Sequence, residues 1–128
     1  MASNVVAPPR EVATGFLTLA SVGRAREAWE RYAAPDFVHH NAFVGGDPAS
    51  LIAAMEDNAR EHSAKTLEIL RTIAEGPFVA VHSRVRLAPG EPAVATIHLF
   101  RIEAGRIVEL WDVGQPAPAD SPNEHGLF

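Results

Sequence analysis

The stretch "ATIHLFRIEAGRIVELWDVGQ", residues 95–115, reads as two strand-forming runs on either side of an Ala104-Gly105 break, the pattern of a β-hairpin. It also places His98 and Asp112, each flanked by apolar residues, where packing ordinarily asks for an aliphatic side chain. A titratable group in such a position is either buried and hydrogen-bonded or turned toward a cavity. The turn decides whether the two share a face. A three-residue loop of Glu103, Ala104 and Gly105 puts glycine in the left-handed position that such loops need. Ile102 then opposes Arg106, and His98 and Asp112 become diagonal neighbours on one face. A two-residue loop pairs His98 with Trp111 and sends Asp112 to the other side. The three-residue loop is the expected one, because it uses glycine where glycine is required.

Working outward, "TLEILRTIAE" (residues 66–75) and "FVAVHSRVRLA" (78–88) add two more strand-like runs, separated by short turn sequences. In the second, His82 shares a face with Phe78 and Ala80, while Val79, Val81, Val85 and Leu87 share the other, so periodicity does not aim His82. Upstream the period changes to helical. Pro8 and Pro9 suit a helix start, Val12, Phe16, Leu19 and Ala20 recur at helical spacing, and Gly23 ends the run. A second stripe carries Ala25, Ala28, Trp29, Tyr32 and Ala33 before Pro35. "DFVHHNAF" (36–43) is a short extended segment, in which adjacent His39 and His40 must point to opposite sides. Asp47 before Pro48 caps a third helix with Leu51, Ile52, Met55 and Ala59 on its buried side. Three helices followed by long strands with short connections predict an α+β fold, an antiparallel sheet with helices on one face.

The chain of 128 residues is expected to form one domain, with a flexible arm at 1–9 and an irregular tail at 116–128. The absence of cysteine excludes disulfides, a thiolate nucleophile and cysteine-bound zinc. A net charge of −5 with no basic run argues against a nucleic-acid partner. No apolar stretch approaches the length of a membrane span, and the opening "MASNVVAPPREV" lacks the form of a secretion signal. A cytoplasmic protein with neither nucleic-acid nor membrane partner is expected. His40, His82, His98 and Asp112 contain the residue types of an open metal site, but none of the close spacings that mark one, so no metal and no cofactor is expected.

"FVAVHS", "FRIEAGRIVELWDVGQ", "FVHHN" and the ending "N…LF" resemble the SnoaL-like, polyketide cyclase-like group of the nuclear-transport-factor-two-like superfamily. That resemblance covers nearly the whole chain from about residue 10. It implies a cone-shaped curved antiparallel sheet with three N-terminal helices enclosing a pocket, a cystatin-like α+β barrel. It also implies that Asp112 in "LWDV" stands at the acid/base aspartate of the last strand, and that His40, Asn41, His82, Trp111 and Gln115 occupy positions typical of the group. One departure stands out: His98 replaces an aspartate usual before "FR". Ketosteroid isomerase shares the fold, and aligning its "VG" with Val22-Gly23 puts Phe16, His40 and His98 at its tyrosine and two aspartate positions. The identities differ, so the isomerase reaction does not carry over. The positions imply that Phe16, His40, His98 and Asp112 line a cavity.

These readings converge on a cofactor-independent acid/base enzyme for a small apolar carbonyl compound, of aldol cyclase, isomerase or dehydratase type. Asp112, His98 and His40 are its candidate catalytic residues, with the carboxylate expected to raise the imidazole's pKa. Phe16, Trp29, His82, Phe100 and Leu110 are the candidate ligand contacts. Two other classes remain open: a non-catalytic binder using the same cavity, and a homodimer built on an outer sheet face of Trp111, Leu99, Val113 and Ala95. The tail, with Asn123, His125 and Phe128, has three options: folding over the pocket mouth, packing on a second subunit, or disorder.

Overall fold

A computed structural model describes residues 6–128. Its elements run α1 (Pro9–Ser21), α2 (Ala25–Tyr32), β1 (Ala33–His39), α3 (Pro48–Glu61), β2 (Thr66–Glu75), β3 (Phe78–Arg86), β4 (Val94–Glu103) and β5 (Arg106–Pro116). The five strands form one sheet in the order β1-β5-β4-β3-β2. Strands β2 to β5 are antiparallel neighbours. The sheet is nevertheless mixed, because β1 pairs with β5 in parallel. The expected short extended segment is therefore an edge strand that starts earlier than Pro35. Pro35 fits there because an edge strand need not use every N–H.

Local chemistry explains where the helices begin and end. Pro8 and Pro9 open α1, so the predicted arm is shorter than nine residues, and residues 1–5 lie outside the described part. At its other end Gly23, at φ 85°, donates to Ala20 and Arg24 donates to Leu19, closing the helix with a left-handed glycine. Asp47 caps α3 as expected: its Oδ2 accepts from the Ser50 amide at 2.9 Å, and Ser50 Oγ donates to Oδ1 at 2.7 Å.

Two bulges curve the sheet. Between Ile69 and Arg71 the β2–β3 register slips by one, leaving Leu70 extra, and between Ile107 and Glu109 the β4–β5 register does the same at Val108. Each extra residue bends its strand, and the sheet curls around α1. The inner face alternates strictly on β3, where Val79, Val81, Ser83 and Val85 are buried. Phe16, Phe37, Phe100, Ile52 and Ile107 are the largest fully buried side chains, and the Phe16 and Phe100 rings meet edge-on at 6.1 Å. Each such side chain contributes roughly 1.5–3 kcal/mol by leaving water. This filling occupies the end of the cone near the β4–β5 turn and leaves the opposite end hollow.

Candidate active site

The hairpin that opened the sequence reading turns differently from expectation. Glu103 pairs with Arg106 and Ile102 with Ile107, so the loop is the two residues Ala104 and Gly105, at φ 50° and 77°. Two successive left-handed residues make the tight hairpin turn whose twist matches its strands. That turn alone would face Asp112 outward. The Val108 bulge adds one residue to β5 and reverses the phase, so His98 lies directly opposite Asp112. The expected juxtaposition holds, by a turn and a bulge instead of a longer loop.

Both residues line a hollow of about 460 Å³, within the range of small-molecule sites. Thr96 and Val94 extend its β4 wall, and Asn41, Ala42 and Phe43 of the β1–α3 connection form its lip. Asn41 Nδ2 donates to Asp112 Oδ2 at 3.0 Å, which orients the carboxylate. Among the described residues Asp112 Oδ1 receives no hydrogen bond. The phenyl ring of Phe43 is almost wholly solvent-exposed at the rim.

His98 differs from expectation in its charge. Burial lowers its pKa to about 4, and this outweighs the opposing pull of Asp112, while the Lys65 ammonium lowers it further. The imidazole is neutral at pH 7. Its Nδ1 is buried without a hydrogen-bond partner. An unsatisfied buried nitrogen is costly, and this one belongs to a residue that lines the hollow.

The remaining predicted residues disperse. His40 borders the same hollow at its rim, but it is exposed and its ring is turned to the outer face, where it stacks on Trp111 at 5.1 Å and its Nε2 bonds Glu109 Oε2 at 2.6 Å. With Arg101, His40 holds the Glu109 carboxyl below its ordinary pKa. The inward histidine is His39, 6% exposed. Its Nδ1 accepts from the Asn41 amide, so its Nε2–H donates to the Gly45 carbonyl at 2.7 Å. That pins the β1–α3 connection and positions Asn41. His82 is likewise on the outer face, within 2.7 Å of Arg71 and 6.0 Å from the Phe128 ring. It is not a wall of the cone. Phe16, Phe100 and Leu110 are core residues of the packed end toward the β4–β5 turn, the Phe100 ring lying 6.2 Å from the imidazole. Trp29 packs on Phe37 and donates to the Ala34 carbonyl, and it borders a separate surface hollow with Arg26 and Arg106. The tail ends on the outer face, where Arg84 lies over the Phe128 ring at 4.4 Å, away from the pocket mouth.

Spacing and alternation in the sequence assign no specific task to Asn41 and do not single out Thr96 or Lys65. Alternation does put Thr96 on the face of His98, two residues before it. Lys65 carried a signal in composition as the only lysine. The partnership of Asn41 with Asp112 had none, since 71 residues separate them.

The SnoaL-like domain family model matches residues 13–110, stopping just before Asp112. Among solved structures, wild-type IdmH from Streptomyces antibioticus, a candidate polyketide cyclase, is 18% identical. It has a TM-score of 0.71, with 85% of this chain and 93% of that one covered. AclR from Streptomyces galilaeus, a candidate hydroxylase, is 18% identical with TM-score 0.70, covering 84% of this chain and 88% of its own. A candidate ketosteroid isomerase from Kribbella flavida is 20% identical with TM-score 0.69, covering 94% and 87%. No curated protein matches by sequence. The three structures differ in assigned chemistry but share the curved sheet, and with three-quarters of its length matched the chain belongs to the SnoaL-like domain family.

Proposed function

We propose that this protein is a cofactor-independent acid/base enzyme acting on a small, mostly apolar carbonyl compound, as in an intramolecular aldol cyclisation or a related isomerisation. The observation that carries the reading is the His98–Asp112 pair, opposed across β4 and β5 on the wall of a hollow, with Asp112 steadied by Asn41. The polyketide cyclase and ketosteroid isomerase assignments of similar folds fit the same class of proton chemistry.

In this reading Asp112, through Oδ1, removes a proton from the carbon next to a ligand carbonyl. Its electron pair moves into the enolate, whose oxygen accepts a hydrogen bond from the neutral His98 ring. A neutral imidazole suits that task, since it donates without surrendering its proton. The enolate carbon then attacks a second carbonyl of the same molecule, and the proton on Asp112 passes to the new alkoxide. No atom is gained or lost, so no cofactor is called for. His40 and His82, both on the outer face, take no part.

Turnover of small diketones by purified Asp112→Asn is expected to fall at least roughly 10²-fold, the scale of a lost general base. His98→Ala is expected to fall by a similar factor, the scale of a lost oxyanion donor. Full turnover in either variant would remove the proposal. A second reading, a ligand carrier, is favoured by the lack of a hydrogen bond between His98 and Asp112 among the described residues. It predicts uptake of the same ketones with no product formed. A second copy of the chain, packed on the outer sheet face, is the macromolecular partner proposed with either reading.

A further inference from the structure

Behind His98 lies a second hollow, of about 170 Å³, between α1, α3 and the inner face of the sheet. It shares Thr96 and His98 with the larger pocket, so these two side chains stand between the mouth and the interior. Its other walls are mostly apolar, among them Leu17, Met55, Leu67 and Val85. The exceptions are Ser21, whose hydroxyl donates to the Thr18 carbonyl, and Lys65. Lys65 is half-buried, and its side-chain hydrogen bond is from Nζ to the neutral amide oxygen of Asn58 at 2.8 Å. Among the described residues no carboxylate pairs with it, although the chain has 16 acidic residues against 11 basic.

A cation drawn from water into an apolar chamber is costly unless an anion accompanies it. Burial indeed lowers the Lys65 pKa. A second polar atom of the lining, His98 Nδ1, is buried without a partner. An ammonium and an unsatisfied imidazole nitrogen among mostly apolar walls suit an anionic oxygen group. We infer that the chamber is a carboxylate subsite: the carbonyl ligand carries a carboxylate that passes His98 and pairs with Lys65, leaving its carbonyl between His98 and Asp112. This rests on the carbonyl reading above and narrows it to keto acids. The chamber has room for a carboxylate and a short chain, each water-sized group needing about 30 Å³.

The test compares levulinate, a stable keto acid, with its methyl ester, following the ring signals of His98 by NMR during titration. Wild-type protein should bind the acid at least tenfold more tightly than the ester, with the His98 resonances moving. Lys65→Met should bring the acid down to the affinity of the ester, and Lys65→Arg should keep the preference. Equal affinities, a preference that survives Lys65→Met, unmoved His98 signals or no binding of either compound would each overturn the inference. The wild-type comparison decides even if a variant fails to fold. Because binding is read without turnover, the outcome is separable from the catalytic proposal: Asp112→Asn, inactive on that reading, should keep the acid preference.

Discussion

At the scale of single residues, His98 has the largest consequence. Its pKa of about 4 in the folded protein lies below the ordinary value of 6.5. Between those values the unfolded chain holds a proton that the folded chain refuses, so protonation favours unfolding. Stability is therefore full above pH 6.5 and declines as the pH falls toward 4. A shift of this size corresponds to about 3 kcal/mol. Urea unfolding at pH 4.5 and 7 should show most of that loss, roughly 2 kcal/mol, in wild-type protein and not in His98→Leu. Parallel losses in the two proteins would refute the assignment. At pH 7, His98→Leu should also be more stable than wild type by roughly 1 kcal/mol, since it removes an unpartnered buried nitrogen. Gain of stability with loss of turnover is the signature of a side chain kept for its chemistry. His39 is the opposite case, with both ring nitrogens engaged by backbone. Removing it should cost stability and, by freeing Asn41, loosen Asp112.

At the scale of elements, the β4–β5 hairpin and the α1–α2 pair carry the design. Ala104 adopts φ 50°, a left-handed conformation that a side chain disfavours by about 1 kcal/mol. Asparagine tolerates it and precedes glycine well in this turn. Ala104→Asn should therefore raise stability by up to about 1 kcal/mol, read as a higher denaturation midpoint. Gly105→Ala should lower it, since φ 77° disfavours any side chain and an added methyl would meet Val6. Gly15 has a different role. A Cβ there would lie 2.5 Å from the Tyr32 ring, so glycine is what lets α2 approach α1. Gly15→Ala should cost roughly 1–3 kcal/mol as overpacking, and Tyr32→Ala in the same chain should relieve most of it. Additive losses would show that the two side chains do not meet. Arg106 ties these elements together, donating to the Glu30 and Ala33 carbonyls at the end of α2.

At the scale of the molecule, the two faces of the sheet divide the labour. The inner face encloses the core and the hollow, and the outer face presents Ile73, Ile97 and Val113, exposed at 67%, 44% and 66%. Leu127 and Phe128 cover part of it beside His82, and His40 covers Trp111. An apolar surface of this kind is the one a second copy would bury. Sedimentation velocity is expected to give a dimer for wild-type protein and a monomer for Val113→Asp; a wild-type monomer at high concentration would remove the dimer proposal. Among the described residues, no helix is long and apolar enough to cross a membrane. No group of three His, Asp or Glu side chains comes together there as a metal site. The rings of His40 and His82 lie across the sheet from the side chains of His98 and Asp112, against Trp111 and Phe128.

The sequence alone determined the elements apart from the start of β1 at Ala33, because periodicity, proline and glycine act locally. The change from helical to alternating spacing after residue 65, the Asp47 cap and the Gly23 stop all stand where local chemistry put them. It also brought His98 and Asp112 to one face, though through the wrong turn, since a bulge leaves no mark that alternation can reveal. Tertiary structure decided everything that depends on which side of the sheet a residue meets. Adjacent histidines 39 and 40 are equivalent in the sequence, and only the parallel pairing of β1 with β5 turns one to the core and the other to Trp111. The charge of His98 came out opposite to the rise expected from its carboxylate neighbour, because it reflects how deeply the closing cone removes the ring from water, a property of the assembled chain and not of any segment.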